Sequence, residues 1–75
     1  MPHVIVKLWP GKSERQKAEL AARITEAATS VLGYGDESVS VSMQEITSRD
    51  WKAKVYEPDI QNGSGKLYKK PGYTM

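Results

Sequence analysis

The sequence predicts an α+β fold built on a β-α-β unit, and the spacing of its apolar residues carries that expectation. They recur at every second position near the start, at every third or fourth position in the middle, and at every second position again after a Gly-Tyr-Gly-Asp loop. Between residues 3 and 9, Val4, Val6 and Leu8 alternate with His3, Ile5, Lys7 and Trp9, the period of a strand, and Pro10-Gly11 ends it. Ser13 and Gln16 then form a capping box, the serine hydroxyl taking an orphan amide while the glutamine reaches back to the cap.

A helix is expected from there to Gly33. Leu20, Ile24, Ala27 and Val31 fall at helical spacing, Ala21, Ala28 and Leu32 widen the stripe, and Lys17, Glu19, Arg23 and Glu26 belong to the outer face. Gly33 is a natural stop, because a residue without a Cβ enters the left-handed cap conformation cheaply. Val39, Val41 and Met43 alternate with Ser40, Ser42 and Gln44, which predicts a second strand over residues 38–46. Strand, long helix and strand in succession imply parallel strands joined by a right-handed crossover.

The last third is less regular. Ser48 is a candidate cap for a short helix carrying Trp51 and Val55, Pro58 should end it, and Asn62-Gly63-Ser64-Gly65 reads as a flexible turn. The tail carries Tyr68, Tyr73 and lysines 66, 69 and 70, a composition suited to clasping a partner subunit. Neither an internal repeat nor a second domain is evident, so residues 1–75 read as a single domain.

Composition narrows the function. A 75-residue chain lies near the lower size limit for a self-sufficient core, and small domains draw extra stability from disulfides, metals or oligomerisation. There is no cysteine, and His3 is the only imidazole, so oligomerisation is what remains. No apolar run approaches the roughly 20 residues of a membrane span, and no secretory leader is visible, which together point to a cytoplasmic setting. The net charge of +2 is spread among nine acidic residues, which argues against nucleic acid as a partner. Zinc clusters, phosphate loops and Ser/His/Asp sets are all missing, so neither metal nor cofactor is expected.

Pro2 is the exception to this lack of chemistry. If Met1 is removed, Pro2 presents a secondary amine, whereas a retained Met1 would make the same nitrogen a tertiary amide with no basicity. An α-amino group titrates near about 7.7 to 8.0, so a base at neutral pH needs help to stay unprotonated. Burial at an apolar strand start gives some, and a lysine about 6 Å away adds roughly 3 kcal/mol of repulsion at an effective dielectric near 20, about two pKa units. Lys12 is the candidate cation, placed at the helix entrance where it could also hold a carboxylate. It reads equally as a solvated loop lysine. His3 reads first as a structural residue, with tuning of the neighbouring amine as its alternative role.

The Met-Pro start, Pro10-Gly11-Lys12-Ser13 leading into Glu14-Arg15-Gln16-Lys17, the long helix and the strand Ser38-Val39-Ser40-Val41-Ser42-Met43-Gln44-Glu45 together resemble the 4-oxalocrotonate tautomerase family over residues 2 to 51. The closing Lys69-Lys70-Pro71-Gly72-Tyr73-Thr74-Met75 is similar to a bacterial branch with an extended C-terminal segment, whose members tend to be dimers where shorter enzymes are hexamers. The resemblance implies a tautomerase-type unit, two protomers pairing into a four-stranded sheet with two helices on one face. It implies Pro2 as general base in cofactor-independent keto–enol tautomerisation of a 2-oxo acid or its enol.

Lys12 aligns with a family arginine that binds the substrate carboxylate, and Trp51 with a family aromatic that walls the amine. Trp51 also reads as a core or interface anchor. Ser40 stands where the type enzyme has a second arginine, and serine cannot replace a bidentate guanidinium. That favours a monocarboxylate such as an aryl-pyruvate enol over a dicarboxylate such as 2-hydroxymuconate, and leaves Arg49 as the candidate source of the missing charge. Two alternatives stand beside this reading: decarboxylation or haloacrylate hydration by the same amine, and a non-enzymatic module binding single-stranded nucleic acid through Trp9, Trp51, Tyr68, Tyr73 and the tail lysines.

Overall fold

The computed structural model describes residues 1–75, which fall into two compact units, Met1–Glu45 and Ile46–Met75. The first is the β-α-β unit: β1 (His3–Leu8), α1 (Glu14–Leu32), a 3₁₀ turn (Asp36–Ser38) and β2 (Ser40–Glu45). The strands are parallel, with His3 opposite Ser40, Ile5 opposite Ser42 and Leu8 opposite Glu45. β1 stops one residue earlier than expected because β2 ends at Glu45, the partner of Leu8; Trp9 is left unpaired and 57% exposed. β2 starts later than expected, since Ser38 is taken by the 3₁₀ turn, where its amide and hydroxyl both donate to the Gly35 carbonyl at 3.1 and 2.9 Å.

α1 begins and ends on the expected signals. Ser13 is extended, its Oγ accepts the Gln16 amide at 3.1 Å, and Gln16 Oε1 accepts the Ser13 amide at 3.0 Å, completing the capping box. Gly33 adopts φ 77°, ψ 21° and donates its amide to the Thr29 carbonyl at 3.0 Å. Ser13→Ala should cost about 1 kcal/mol by stranding the capped amide, read as a lower urea midpoint at unchanged slope.

The inward face of α1 differs from the expected stripe. Half-buried positions are Lys17, Ala21, Ile24, Thr25, Ala28 and Thr29, while Leu20 is 40%, Leu32 58% and Val31 80% exposed. Two strands, about 4.8 Å apart, offer too narrow a surface to cover a helix stripe this wide, so one row of apolar side chains stays outside. Lys17, expected outward, lies under the helix with its side chain only 14% exposed. Its ammonium reaches Glu14 at 3.0 Å and Glu45 at 3.1 Å, tying α1 to the end of β2.

The hydrogen bonds to Glu14 and then Glu45 raise the Lys17 pKa above its ordinary 10.5. A lysine that binds its proton more tightly when folded stabilises fully below the unfolded pKa and loses that contribution as pH rises through the folded one. The stability advantage of the wild type over Glu45→Gln should therefore be flat from pH 8 to 10 and shrink at higher pH, measured by urea midpoints across that range.

The second unit holds α2 (Ser48–Trp51), which continues directly as a π-helix over Lys52–Gln61. Thr47, not Ser48, occupies the N-cap position, and its side chain makes no capping bond. Pro58 lies inside the π-helix and does not end it. In an α-helix the ring would clash with the carbonyl four residues back; a π-helix is wider and bonds five residues back, which relieves that clash. The same spacing closes the segment, where the Asn62 amide donates to the Glu57 carbonyl at 2.9 Å. Val55 and Tyr56, 5% and 8% exposed, are the only buried apolar residues of the chain. The tail folds back within its own unit: the Tyr73 ring lies 5.8 Å from that of Tyr56, and its hydroxyl accepts the Trp51 indole N–H at 3.0 Å. Tyr68 remains 92% exposed.

Candidate active site

Pro2 precedes the first residue of β1, and its carbonyl accepts the Ser40 amide at 3.2 Å, which anchors the chain start to the head of β2. Met1 beyond it is 92% exposed, so its side chain contributes little packing. One face of the sheet looks toward α1 and carries Val4, Val6 and Leu8 with Val41, Met43 and Glu45. The other face carries His3, Ile5 and Lys7 with Ser40, Ser42 and Gln44. At the head of this second face His3 and Ser40 meet, Nδ1 to Oγ, at 2.6 Å. Ile5 beside them is 50% exposed, giving an apolar floor next to a polar corner.

Ser40 is thus brought to Pro2 by strand register, and it comes with a partner, His3, that sequence reasoning had left structural. The signal was present in the alternation: both residues fall on the open side of their strands. What the sequence did not contain locally was the register that sets residue 3 opposite residue 40.

Lys12 sits at the other end of β1. It lines a recess of about 230 Å³ with Leu8, Gln16, Lys17 and Leu20, at the entrance to α1. Of the two lysines there, Lys17 is compensated by Glu14 and Glu45, whereas Lys12 is exposed and makes no ion pair. Pro2 and Leu8 are six residues apart along an extended chain, a span of about 20 Å. Lys12 therefore does not stand beside the Pro2 nitrogen of its own protomer, contrary to the arrangement expected from the sequence.

Trp51 and Arg49 belong to α2 in the second unit. The Trp51 indole N–H is occupied by Tyr73, so the ring offers its apolar faces and no free donor. Arg49 is exposed and unpaired. No helix is long and apolar enough to cross a membrane.

Comparison with known proteins agrees with this architecture. The family model described as "Tautomerase enzyme" matches residues 2–55. A probable tautomerase of Xylella fastidiosa is 42% identical over 73 residues, 97% of this chain and 89% of that protein. Tautomerase PptA of Enterobacter sp. is 41% identical over 76 residues, covering both chains fully. Among solved structures, TomN, a 4-oxalocrotonate tautomerase homologue of the tomaymycin biosynthetic pathway, superposes with a TM-score of 0.65 at 34% identity, over 67% of this chain and 77% of its own. A β-α-β unit with a proline at its head, matched by a family model over most of its length and by relatives end to end, belongs to the tautomerase family, and the chain is an isomerase with keto–enol tautomerase-type activity.

Proposed function

We propose that the protein interconverts the enol and keto forms of a 2-oxo monocarboxylate, with the nitrogen of Pro2, freed by loss of Met1, as the base. The observation that carries this reading is the placement of Pro2: its carbonyl is committed to the Ser40 amide, and Met1, bonded to its nitrogen, is 92% exposed. The amine takes the proton of the enol hydroxyl, the electron pair forms the C2=O bond as the C2=C3 π bond opens, and the prolinium returns the proton at C3. Nothing is consumed, and no cofactor is required. A base positioned in this way contributes about 10² to 10⁴ in rate. The test is ketonisation of phenylenolpyruvate by the processed chain, compared with Pro2→Ala.

The monocarboxylate preference rests on the open sheet face. Around Pro2 it offers Ser40, Ser42, His3 and Ile5, and no arginine. A second carboxylate would there find no bidentate partner. Lys12, uncompensated at the helix entrance, is the residue for the single carboxylate.

These two residues can serve one substrate only across an interface. β1 is the more apolar strand, with Val4, Val6 and Leu8 toward α1 and Ile5 on the open face, whereas β2 presents Ser40, Ser42 and Gln44 there. Joining two copies by antiparallel β1–β1 pairing about a two-fold axis normal to the sheet gives four strands with both helices on one face. The pairing also sets Pro2 of one protomer against the Leu8–Lys12 end of its partner. Leu20 and Val31, exposed on one row of α1, provide apolar surface for assembly, and a homodimer is the expected species, with a hexamer as the alternative result of a sedimentation measurement.

A further inference from the structure

The His3–Ser40 pair is not used by the mechanism above, although His3 directly follows Pro2 and the Ser40 amide donates to the Pro2 carbonyl. We propose that His3 is a catalytic residue: held at Nδ1 by Ser40, it donates an Nε2–H bond to the C2 oxygen of the 2-oxo acid as charge develops there, and Ser40 is its positioning residue. The inference rests on the reading of Pro2 as base.

Three observations support it. His3 directly follows Pro2, with Cα atoms about 3.8 Å apart, so the imidazole and the proline nitrogen belong to the same end of β1. The 2.6 Å contact crosses the seam from β1 to β2 and uses Nδ1. On an imidazole the two nitrogens point in nearly opposite directions, so with Nδ1 on Ser40 of β2, Nε2 is directed away from β2. Ser40 hydroxyl donation to Nδ1 leaves the proton on Nε2, and an imidazolium donating Nδ1–H to the hydroxyl also carries a proton there. In these two states a donor faces the open side; the neutral Nδ1–H tautomer, whose Nε2 would only accept, is the state the assignment excludes.

The pair has little structural purpose to explain it. Both residues are exposed, and one hydrogen bond between exposed side chains adds little to folding. A donor aimed at an oxygen that gains charge in the transition state has a larger effect, about 10² to 10³ in kcat when removed.

The experiment measures kcat and KM for phenylenolpyruvate in Pro2→Ala, His3→Ala, His3→Gln, Ser40→Ala and Ser40→Thr, each first checked for wild-type circular dichroism and urea midpoint. His3→Ala is expected to lose about 100-fold, mainly in kcat, and His3→Gln, whose amide nitrogen occupies the Nε2 position, to regain at least about tenfold of it. Ser40→Ala should lower kcat severalfold with KM little changed, and Ser40→Thr, which keeps the hydroxyl, should restore it. If Pro2→Ala is inactive while His3→Ala keeps wild-type kcat, the assignment of His3 is overturned and the base stands. If Pro2→Ala keeps full activity, the base reading itself fails. Equal loss in His3→Ala and His3→Gln would also overturn the donor role.

Discussion

Pro2→Ala should retain the fold and lose about 10² to 10⁴ of kcat/KM for ketonisation of an aryl-pyruvate enol. The size of the loss follows from what the substitution leaves behind. Loss of Met1 from the variant still exposes an α-amine, now primary and attached to a mobile, unconstrained residue, so residual activity is expected. The fold should be unaffected because Pro2 contributes a carbonyl to the Ser40 amide, which alanine also supplies, and has no ladder N–H to lose. A companion chain carrying one extra residue ahead of Pro2 removes the amine altogether. Its nitrogen becomes a tertiary amide, and activity should fall to background although every side chain is present. Intact mass identifies which N-terminus each preparation has, and full activity in a chain of verified extended mass would refute Pro2 as base.

The parts of this fold that sequence made legible are those fixed by neighbours in the chain. Ser13, Gln16 and Gly33 act over three or four residues, and α1 starts and ends where they place it. The strands were legible in their alternation but not at their ends, because an end depends on where the partner strand stops: Trp9 fails to pair only because β2 is already over at Glu45. The inward face of α1 was misread for a related reason. Seven apolar residues fill a stripe wider than two strands can cover, and the choice among Leu20, Ala21 and Ile24 is made by the sheet, not by the helix. Lys17 is drawn inward by Glu45, a residue 28 positions away. Pro58 was read by the rules of the α-helix and lies in a π-helix instead.

The candidate site divides along the same line. The proposal for Pro2 needed no tertiary information, since the base it invokes is the amine that loss of Met1 would free. Ser40 and His3 required the register, and Lys12 required the length of β1, which separates it from Pro2 by about 20 Å in one protomer. A close Pro2–Lys12 arrangement is an easy inference from residues ten positions apart. An extended strand rules it out within a chain, which is why the proposal joins the two residues across a pair.

That separation yields a complementation experiment. Assayed at substrate well below KM, Pro2→Ala and Lys12→Ala should each be strongly impaired as homodimers, because every site in the first lacks the proline base and every site in the second lacks the carboxylate's cation. Losing that cation should cost about tenfold to a hundredfold in kcat/KM, most of it in KM, the size expected for one hydrogen bond to a charged group. Mixing the two variants under conditions that exchange subunits produces heterodimers. In each of these, one site combines the intact Pro2 of one chain with the intact Lys12 of the other, and the second site carries both defects. Random exchange makes half the dimers mixed and half of their sites intact, so about a quarter of wild-type activity should return. The specific activity of the mixture would then exceed that of both parents, and KM would match the wild type. If each protomer instead assembled its own site from its own Pro2 and Lys12, exchange would leave the average of the two parents and no gain. A recovery that appears with the rate of subunit exchange ties catalysis to the two-fold interface, and its absence after complete exchange would show that the β1 edges do not bring these two ends together.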